Sequence, residues 1–322
     1  MARALLALGS NLGDRAATLR AALGQLGAEA GLKLLRASQF YETAPAGGPA
    51  DQASYLNAAA IVETHLPPAE LWARLQQIEQ QFGRRRDVRW GPRTLDLDLL
   101  LFDELSVSSP QLEIPHPRMA VRRFVLEPAA EIAPDWVHPR TGWTVGRLLD
   151  HLESASPYVA ITGPPGVGKT ELAHWLGARG GSDVVTLSAE ALAHASRAGS
   201  PPAVELEFVR ARARLLKGVA RKTGGSWLIS DFWLEQSLAY ATEAEREAVE
   251  KEIERQLTSV VTPKLTVVVE PKFSAGTPAA ERTTRALQEL VSRPHVGPVL
   301  CLRGPDLAAT SLELAAALDS MR

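Results

Sequence analysis

The chain has 322 residues, with 35 Lys+Arg against 37 Asp+Glu and a formal net charge of −2. Its 45% hydrophobic and 22% charged content are ordinary globular values, which argues against a disordered or fibrous chain, and the length suggests two domains. Near-neutral charge argues against a protein held to nucleic acid by bulk electrostatics. The single cysteine, Cys301, cannot form an internal disulfide or a Cys-based zinc site, and fits a reducing compartment. The apolar run from Ala4 to Leu8 is short for a signal peptide, and no stretch approaches the ~20 apolar residues of a membrane helix. A cytoplasmic location is expected.

In chain order, Arg3–Leu8 predicts a strand, and a helix starts near Asp14 with Leu19, Leu23 and Leu26 on one face. Strands follow at about Leu34–Thr43 and Leu56–Thr64. Pro67-Pro68 opens a second helix, whose face carries Leu71, Leu75, Ile78 and Phe82, and Gly83 stops it. Leu95–Phe102 is the next strand. The order β-α-β-β-α-β predicts a ferredoxin-like α+β sandwich with helices on one face. Val145–Leu152 reads as a short helix, and the polar stretch from Glu153 to Pro157 as a linker, so domains are expected over 1–155 and 156–322. Beyond it, strands at Tyr158–Thr162, Val184–Leu187, Ser226–Ser230 and Leu265–Val269 alternate with helices, one around Val204–Val219. A long helix opens at the capping box Thr242/Glu245 and carries Val249, Ile253, Leu257 and Val260 on its face. That pattern predicts a parallel, three-layer α/β domain.

The segment GRRRDVRWGPRTLDLDLLLF, residues 83–102, is the most informative. Alternate strand residues share a face, so Asp96 and Asp98 point one way while Leu95, Leu97, Leu99 and Leu101 point into a core. Two adjacent carboxylates need cations, and oxygen-seeking Mg²⁺ suits them. Arg84, Arg85, Arg86, Arg89 and Arg93 lie just upstream, and arginine forks match phosphate. Either feature alone reads as a solvated face. Together, beside Trp90-Gly91-Pro92, they point to a polyphosphate site. His116 between Pro115 and Pro117, followed by Arg118, Arg122 and Arg123, adds phosphate-contacting candidates.

These residues carry a resemblance. The stretches 8–13 (LGSNLG), 41–45 (YETAP), 55–58 (YLNA), 89–98 (RWGPRTLDLD) and 115–119 (PHPRM), with Arg122-Arg123-Phe124, resemble the 6-hydroxymethyl-7,8-dihydropterin pyrophosphokinase family along the first ~155 residues. The resemblance implies transfer of the β,γ-pyrophosphoryl group of ATP to the pterin hydroxymethyl oxygen, giving AMP, in folate biosynthesis. It implies two Mg²⁺ on Asp96 and Asp98, and phosphate contacts from Arg84, Arg86, Arg93, Arg122 and His116. Gln76, Glu79 and Leu99 fall at nucleotide positions. Thr43, Ala44, Ala46, Tyr55, Asn57, Trp90 and Phe124 fall at pterin positions, with Tyr55 and Phe124 sandwiching the ring and the Trp90 loop closing over it.

The second half carries Gly163-Pro164-Pro165-Gly166-Val167-Gly168-Lys169-Thr170, which fits the phosphate-loop pattern between a predicted strand and helix. Its amides would cradle phosphates, Lys169 would reach the terminal phosphates, and Thr170 would hold Mg²⁺. The stretch 228–241, LISDFWLEQSLAYA, with Glu205, Phe208 and Arg212, is similar to deoxynucleoside kinases among P-loop NTPases. That likeness puts Asp231 near Mg²⁺, with an N-cap role as the alternative, and Arg212 near a nucleoside. Three features depart from it: Glu190 lies late after the second strand, Phe232 stands where an arginine is expected, and 270–276 lacks an arginine-rich lid. Phosphorylation of a deoxynucleoside and an inactive nucleotide-binding regulatory or assembly module are both open readings. The expected partners are small molecules only, neither nucleic acid nor membrane, with homodimerisation through the second half.

Overall fold

A computed structural model describes residues 1–49, 52–83, 91–180, 182–187, 201–219, 227–270, 278–293, 296–302 and 307–321. The chain forms two compact units, one of Met1–Glu153 with Ala315–Arg322, the other of Ser154–Leu314. The sequence reading assigned all of 156–322 to the second half; residues 315–322 instead group with the first unit.

In the first unit, β1 (Ala2–Ser10) leads to α1 (Arg15–Ala28), whose N-terminus is capped by the Asp14 carboxylate accepting from Ala17 N–H at 2.9 Å. The strand expected over 34–43 is two strands, β2 (Leu32–Ala37) and β3 (Tyr41–Thr43). A register shift falls between Leu34 and Arg36. Ser38 then exchanges bonds with Ala59, its N–H donating to Ala59 O and its hydroxyl accepting Ala59 N–H, both at 2.9 Å. With its side chain closing the ladder, the chain leaves regular pairing there. Next come β4 (Tyr55–Thr64), α2 (Pro68–Gln81) and β5 (Asp96–Phe102). Gly83, at φ +75°, adopts the left-handed conformation just past α2. The sheet runs β2-β4-β1-β5, antiparallel throughout, with β3 also on β4.

One sheet face buries Ala4, Leu6, Leu8, Ala58, Ala60 and Val62 beneath Leu19 and Leu26 of α1 and Leu71, Leu75 and Ile78 of α2. The opposite face is also covered, which the sequence reading did not anticipate. A short hairpin, β6 (Val107–Ser108) and β7 (Glu113–Ile114), and a 3₁₀ turn at Met119–Val121 lead into α3 (Arg123–Ile132). α3 packs on β4 and β1 through Val125, Leu126 and Ala129. Burial on both faces explains why β1 is one continuous apolar run. The hairpin β8 (Val137–His138) and β9 (Trp143–Thr144) and helix α4 (Val145–Ser154) complete this stretch.

β5 contains a bulge. Leu6 pairs with Leu99, but Leu5 pairs with Leu101, so Leu100 is the extra residue. Leu101 therefore shares the face of Leu5, correcting the expectation that it joins Leu95, Leu97 and Leu99; Phe102 enters that core instead.

The second unit is a five-stranded parallel sheet in the order β11-β12-β10-β13-β14, from β10 (Tyr158–Thr162), β11 (Asp183–Val185), β12 (Leu228–Ser230), β13 (Leu265–Val269) and β14 (Val299–Leu302). Its helices are α5 (Lys169–Gly180), α6 (Pro201–Val219), the one-turn α7 (Ser237–Tyr240), α8 (Glu243–Leu257) and α9 (Pro278–Val291), with α10 (Leu307–Ser320) belonging to this unit as far as Leu314. Tyr158 and Ala160 enter a core with Val209 and Leu216 of α6, Val249 and Ile253 of α8 and Leu290 of α9. The expected capping box opens α8, with Thr242 N–H donating to Glu245 Oε2 at 2.7 Å. Among the described residues no helix is long and apolar enough to cross a membrane.

Candidate active site

The site lies on the α3 face of the first sheet. β1–β5 pairing sets Asp96 opposite Gly9 and Asp98 opposite Ala7, so both carboxylates share that face. They line one cleft with Arg93, Arg122, Tyr55, Asn57, Phe124 and the loop residues Thr43, Ala44 and Ala46. Each carboxylate faces its own guanidinium. Arg93 Nη1 is 2.7 Å from Asp96 Oδ2, and Arg122 Nη1 is 3.4 Å from Asp98 Oδ2. Burial acts to lower the Arg93 pKa, but Asp96, Tyr55 and Asp98 outweigh it, and the group stays charged above its ordinary value.

The His116 backbone N–H donates to the carbonyl of the bulge residue Leu100 at 2.9 Å, which fixes the loop after β7 against β5. Its Nδ1 accepts from Arg118 N–H at 3.2 Å, so the neutral ring carries its proton on Nε2, 3.7 Å from Asp98 Oδ2. Burial, then Arg122 and Arg118, hold this imidazole well below its ordinary pKa.

At the other end of the cleft, Asn57 Nδ2 donates to Thr43 Oγ1 at 2.8 Å, tying β4 to β3. Tyr55 has its hydroxyl raised above the ordinary value chiefly by burial, and the hydroxyl lies 3.5 Å from Gly91 O. The Arg122 guanidinium sits 5.6 Å from the Phe124 ring centroid. Flat walls with hydrogen-bonding edges suit a planar heterocycle.

Not every expected residue gathers here. Leu99 is 3% exposed on the opposite face of β5, which leaves only its backbone for a ligand. Glu79 is buried, and its Oε1 accepts Leu97 N–H at 2.7 Å, so it supports β5 between the two aspartates. Gln76, half-buried, lies one turn before it on α2. Arg84, Arg86 and Trp90 lie outside the described residues. Sequence reasoning gave no role to Gly9 or Asn11. A Cβ on Gly9 would sit 3.2 Å from Asn57 Oδ1, so the glycine makes room for that side chain. Asn11, 2% exposed, accepts Arg93 N–H at 2.7 Å through Oδ1 and donates its own N–H to Arg93 O at 3.1 Å. Their signal was the Gly-Ser-Asn stretch at the end of β1.

In the second unit, Gly163 has φ +152°, and a Cβ there would lie 2.4 Å from Val269 O. Gly166 and Gly168 are also at positive φ, which leaves the loop around Val167 to glycine geometry. Lys169 Nζ donates to Gly163 O at 3.0 Å and Pro164 O at 2.8 Å. Burial lowers its pKa against the opposing pull of Asp231. Asp231 is not the cap of the following turn, a place held by Trp233. Its carboxylate accepts from Thr170 Oγ1 at 2.6 Å and from Leu187 N–H at 3.2 Å. Glu190 and the segment 271–276 lie outside the described residues. Arg212 is 5% exposed and donates to Ser237 Oγ.

In the first unit, carboxylates and phosphate-matching cations meet flat, hydrogen-bonding walls, the arrangement of a group-transfer enzyme acting on a polyphosphate. Comparison with known proteins narrows that class. The family model for 7,8-dihydro-6-hydroxymethylpterin-pyrophosphokinase matches residues 5–134. The 2-amino-4-hydroxy-6-hydroxymethyldihydropteridine pyrophosphokinase of Bacillus subtilis is 51% identical over 40% of this chain and 77% of its own length. That of Pseudomonas aeruginosa is 43% identical over 51% of this chain and 98% of its own. The chain belongs to this family of ATP-dependent diphosphotransferases. A solved deoxyadenosine kinase from M. mycoides aligns with 49% of this chain and 95% of its own at TM-score 0.39 and 13% identity, a likeness too low to carry an argument.

Proposed function

We propose that the first unit, with residues 1–155 as its functional domain, transfers the β,γ-pyrophosphoryl group of ATP to the hydroxymethyl oxygen of 6-hydroxymethyl-7,8-dihydropterin and releases AMP. The observation that carries this is Asp96 and Asp98 on one face of β5, each facing an arginine at the mouth of an aromatic cleft. The donor set fits Mg²⁺: two carboxylates on one face, and no cluster of three ligating side chains among the described residues, so phosphate oxygens and water complete the shell. Bound there, Mg²⁺, two ions in this reading, would neutralise triphosphate charge and polarise the reacting phosphorus.

The chain's own groups do the rest. Arg93 and Arg122 hold phosphate oxygens and stabilise charge as it develops on the leaving AMP oxygen. His116 Nε2–H adds a neutral donor. Asn57 and the backbone near Thr43 read the pterin edge, while Tyr55 and Phe124 hold the ring so that its hydroxymethyl oxygen faces the β-phosphorus. Asp96→Asn and Asp98→Asn should each cut AMP formation by on the order of 10²–10³ with little loss of fold. Wild-type turnover in either variant overturns the metal assignment.

The second unit binds a magnesium nucleotide at residues 163–170 in this reading. Asp231 set against Thr170 supports the magnesium-nucleotide site; phosphoryl transfer to a deoxynucleoside is the reading put to test, with an inactive regulatory or assembly module as its alternative. Formation of ADP from ATP and a deoxynucleoside, lost in Lys169→Ala, tests it. Homodimerisation through this unit predicts a dimer mass for the full chain by light scattering.

A further inference from the structure

The tail of the chain, Ala315–Arg322, folds within the first unit, remote in sequence from every residue of its cleft. It begins in the last turns of α10, and Ala315, Ala317, Leu318, Ser320 and Met321 are all buried. Ser320 is the polar side chain among those five. Its Oγ lies 2.6 Å from Ala317 O and 3.1 Å from Val121 O, a carbonyl 199 positions earlier. Each carbonyl stands at the end of its element, where intrahelical donors run out: Ala317 in the last turn of α10, Val121 at the close of the 3₁₀ turn 119–121. One hydroxyl proton faces both, a three-centre bond of the kind common at helix ends. A serine that only capped its own helix would stop at Ala317.

The Val121 carbonyl shares one planar peptide unit with the Arg122 N–H. A donor that holds this oxygen therefore sets the plane from which the Arg122 side chain leaves. The turn's own bonds are long: Val121 N–H to Arg118 O and Arg122 N–H to Met119 O are both 3.3 Å. At the far end of the guanidinium, Nη1 stands 3.4 Å from Asp98 Oδ2, too long to hold the side chain alone. The same run is fixed at its start by His116 N–H on Leu100 O at 2.9 Å. Residues 116–122, which bring His116 and Arg122 to the aspartates, are thus pinned to β5 at one end and to the chain's tail at the other.

We propose that Ser320 is a positioning residue for pyrophosphoryl transfer, its hydroxyl holding the Val121–Arg122 peptide so that the guanidinium meets the ATP phosphates. This rests on the transfer reading of the first site. The reacting groups stay within residues 1–155, and the tail anchors one of them.

The test compares the full-length wild type with Ser320→Ala and Ser320→Thr. Ser320→Ala removes one oxygen and leaves the apolar burial of the tail in place. Amide hydrogen exchange over 117–126 should quicken about fivefold or more, the equivalent of one net hydrogen bond, while exchange over 55–64 stays unchanged. In AMP formation, kcat should fall on the order of tenfold and KM for ATP should rise several fold. The loss stays below the ~10²-fold of a misplacement near 1 Å because Asp98 still restrains Arg122. KM for the pterin should stay within about twofold, since Asn57 is tied to Thr43 at the other end of the cleft. Ser320→Thr keeps the hydroxyl and should restore both readouts; the same losses as in Ser320→Ala overturn the hydroxyl's role. Unchanged exchange over 117–126 in Ser320→Ala overturns the anchor whatever the activity. Quickened exchange with wild-type kcat and KM for ATP overturns the positioning role, as does a fall in kcat with both KM values unchanged, the mark of lost folded enzyme. A wild type that makes no AMP overturns the transfer reading, and the catalytic role of Ser320 with it, while the exchange result still decides whether Ser320 holds the turn.

Discussion

Replacing Asn11 by alanine isolates how the first site is held together. The side chain is 2% exposed, and its Oδ1 accepts Arg93 N–H at 2.7 Å from 82 positions away. Its Nδ2 also reaches Ala53 O at 3.4 Å, on the segment leading into β4. Asn11→Ala keeps the backbone bond from Asn11 N–H to Arg93 O but leaves the part-buried Arg93 N–H without its acceptor. The cost of such an orphan is about 1–3 kcal/mol. Arg93 also loses its fixed approach to Asp96, and a misplacement near 1 Å costs on the order of 10²-fold in rate. Urea unfolding and AMP formation measure the two effects separately. Asn11→Asp retains an acceptor for Arg93 N–H and should recover part of the activity. Asn11→Ala with wild-type kcat/KM and stability within about 0.5 kcal/mol of wild type would refute the reasoning.

Gly9→Ala places a methyl 3.2 Å from Asn57 Oδ1. It should raise KM for the pterin several fold and leave KM for ATP nearly unchanged; equal rises in both would contradict the assignment. His138 is 6% exposed, and burial with the nearby Arg140 lowers its pKa to about 4 from 6.5. The unfolded chain takes up that proton first as pH falls, so this group's share of stability, roughly 3 kcal/mol, is present above pH 6.5 and lost on the way down to about 4. Urea midpoints across that range should flatten in His138→Gln, and an unchanged slope counts against this account. His116, also depressed, contributes with the same sign. Gly163→Ala sets a Cβ 2.4 Å from a backbone oxygen at φ +152°, and should abolish binding of a fluorescent ATP analogue that depends on Lys169.

What the sequence revealed of the first unit follows physical range. Asp96 and Asp98 could be placed on one face because strand periodicity is local, and Pro67, Asp14 and Gly83 mark helix ends through their own backbone chemistry. Leu101 was assigned to the wrong face because the bulge at Leu100 arises from pairing with β1, about 95 positions earlier. α3 went unread because Pro128 inside it looks like a helix breaker, although the helix runs only from Arg123 to Ile132. Asn11 and Gly9 carried no legible role, since their partners Arg93 and Asn57 meet them only in the folded sheet. In the second unit, the phosphate loop was visible as a motif, whereas the bond from Arg212 to Ser237 depends on how α6 and α7 pack.

The bulge in β5 makes the strand unequally tolerant of insertion and deletion. Removing one residue between Asp96 and Asp98 would turn one carboxylate into the apolar core and destroy the site. Removing Leu100 would leave both aspartates in phase with Gly9 and Ala7, while the His116 loop lost its carbonyl anchor. Length changes in this strand are therefore graded by position, destructive to the aspartate pair on one side of a single residue and confined to the histidine loop and the distal packing on the other.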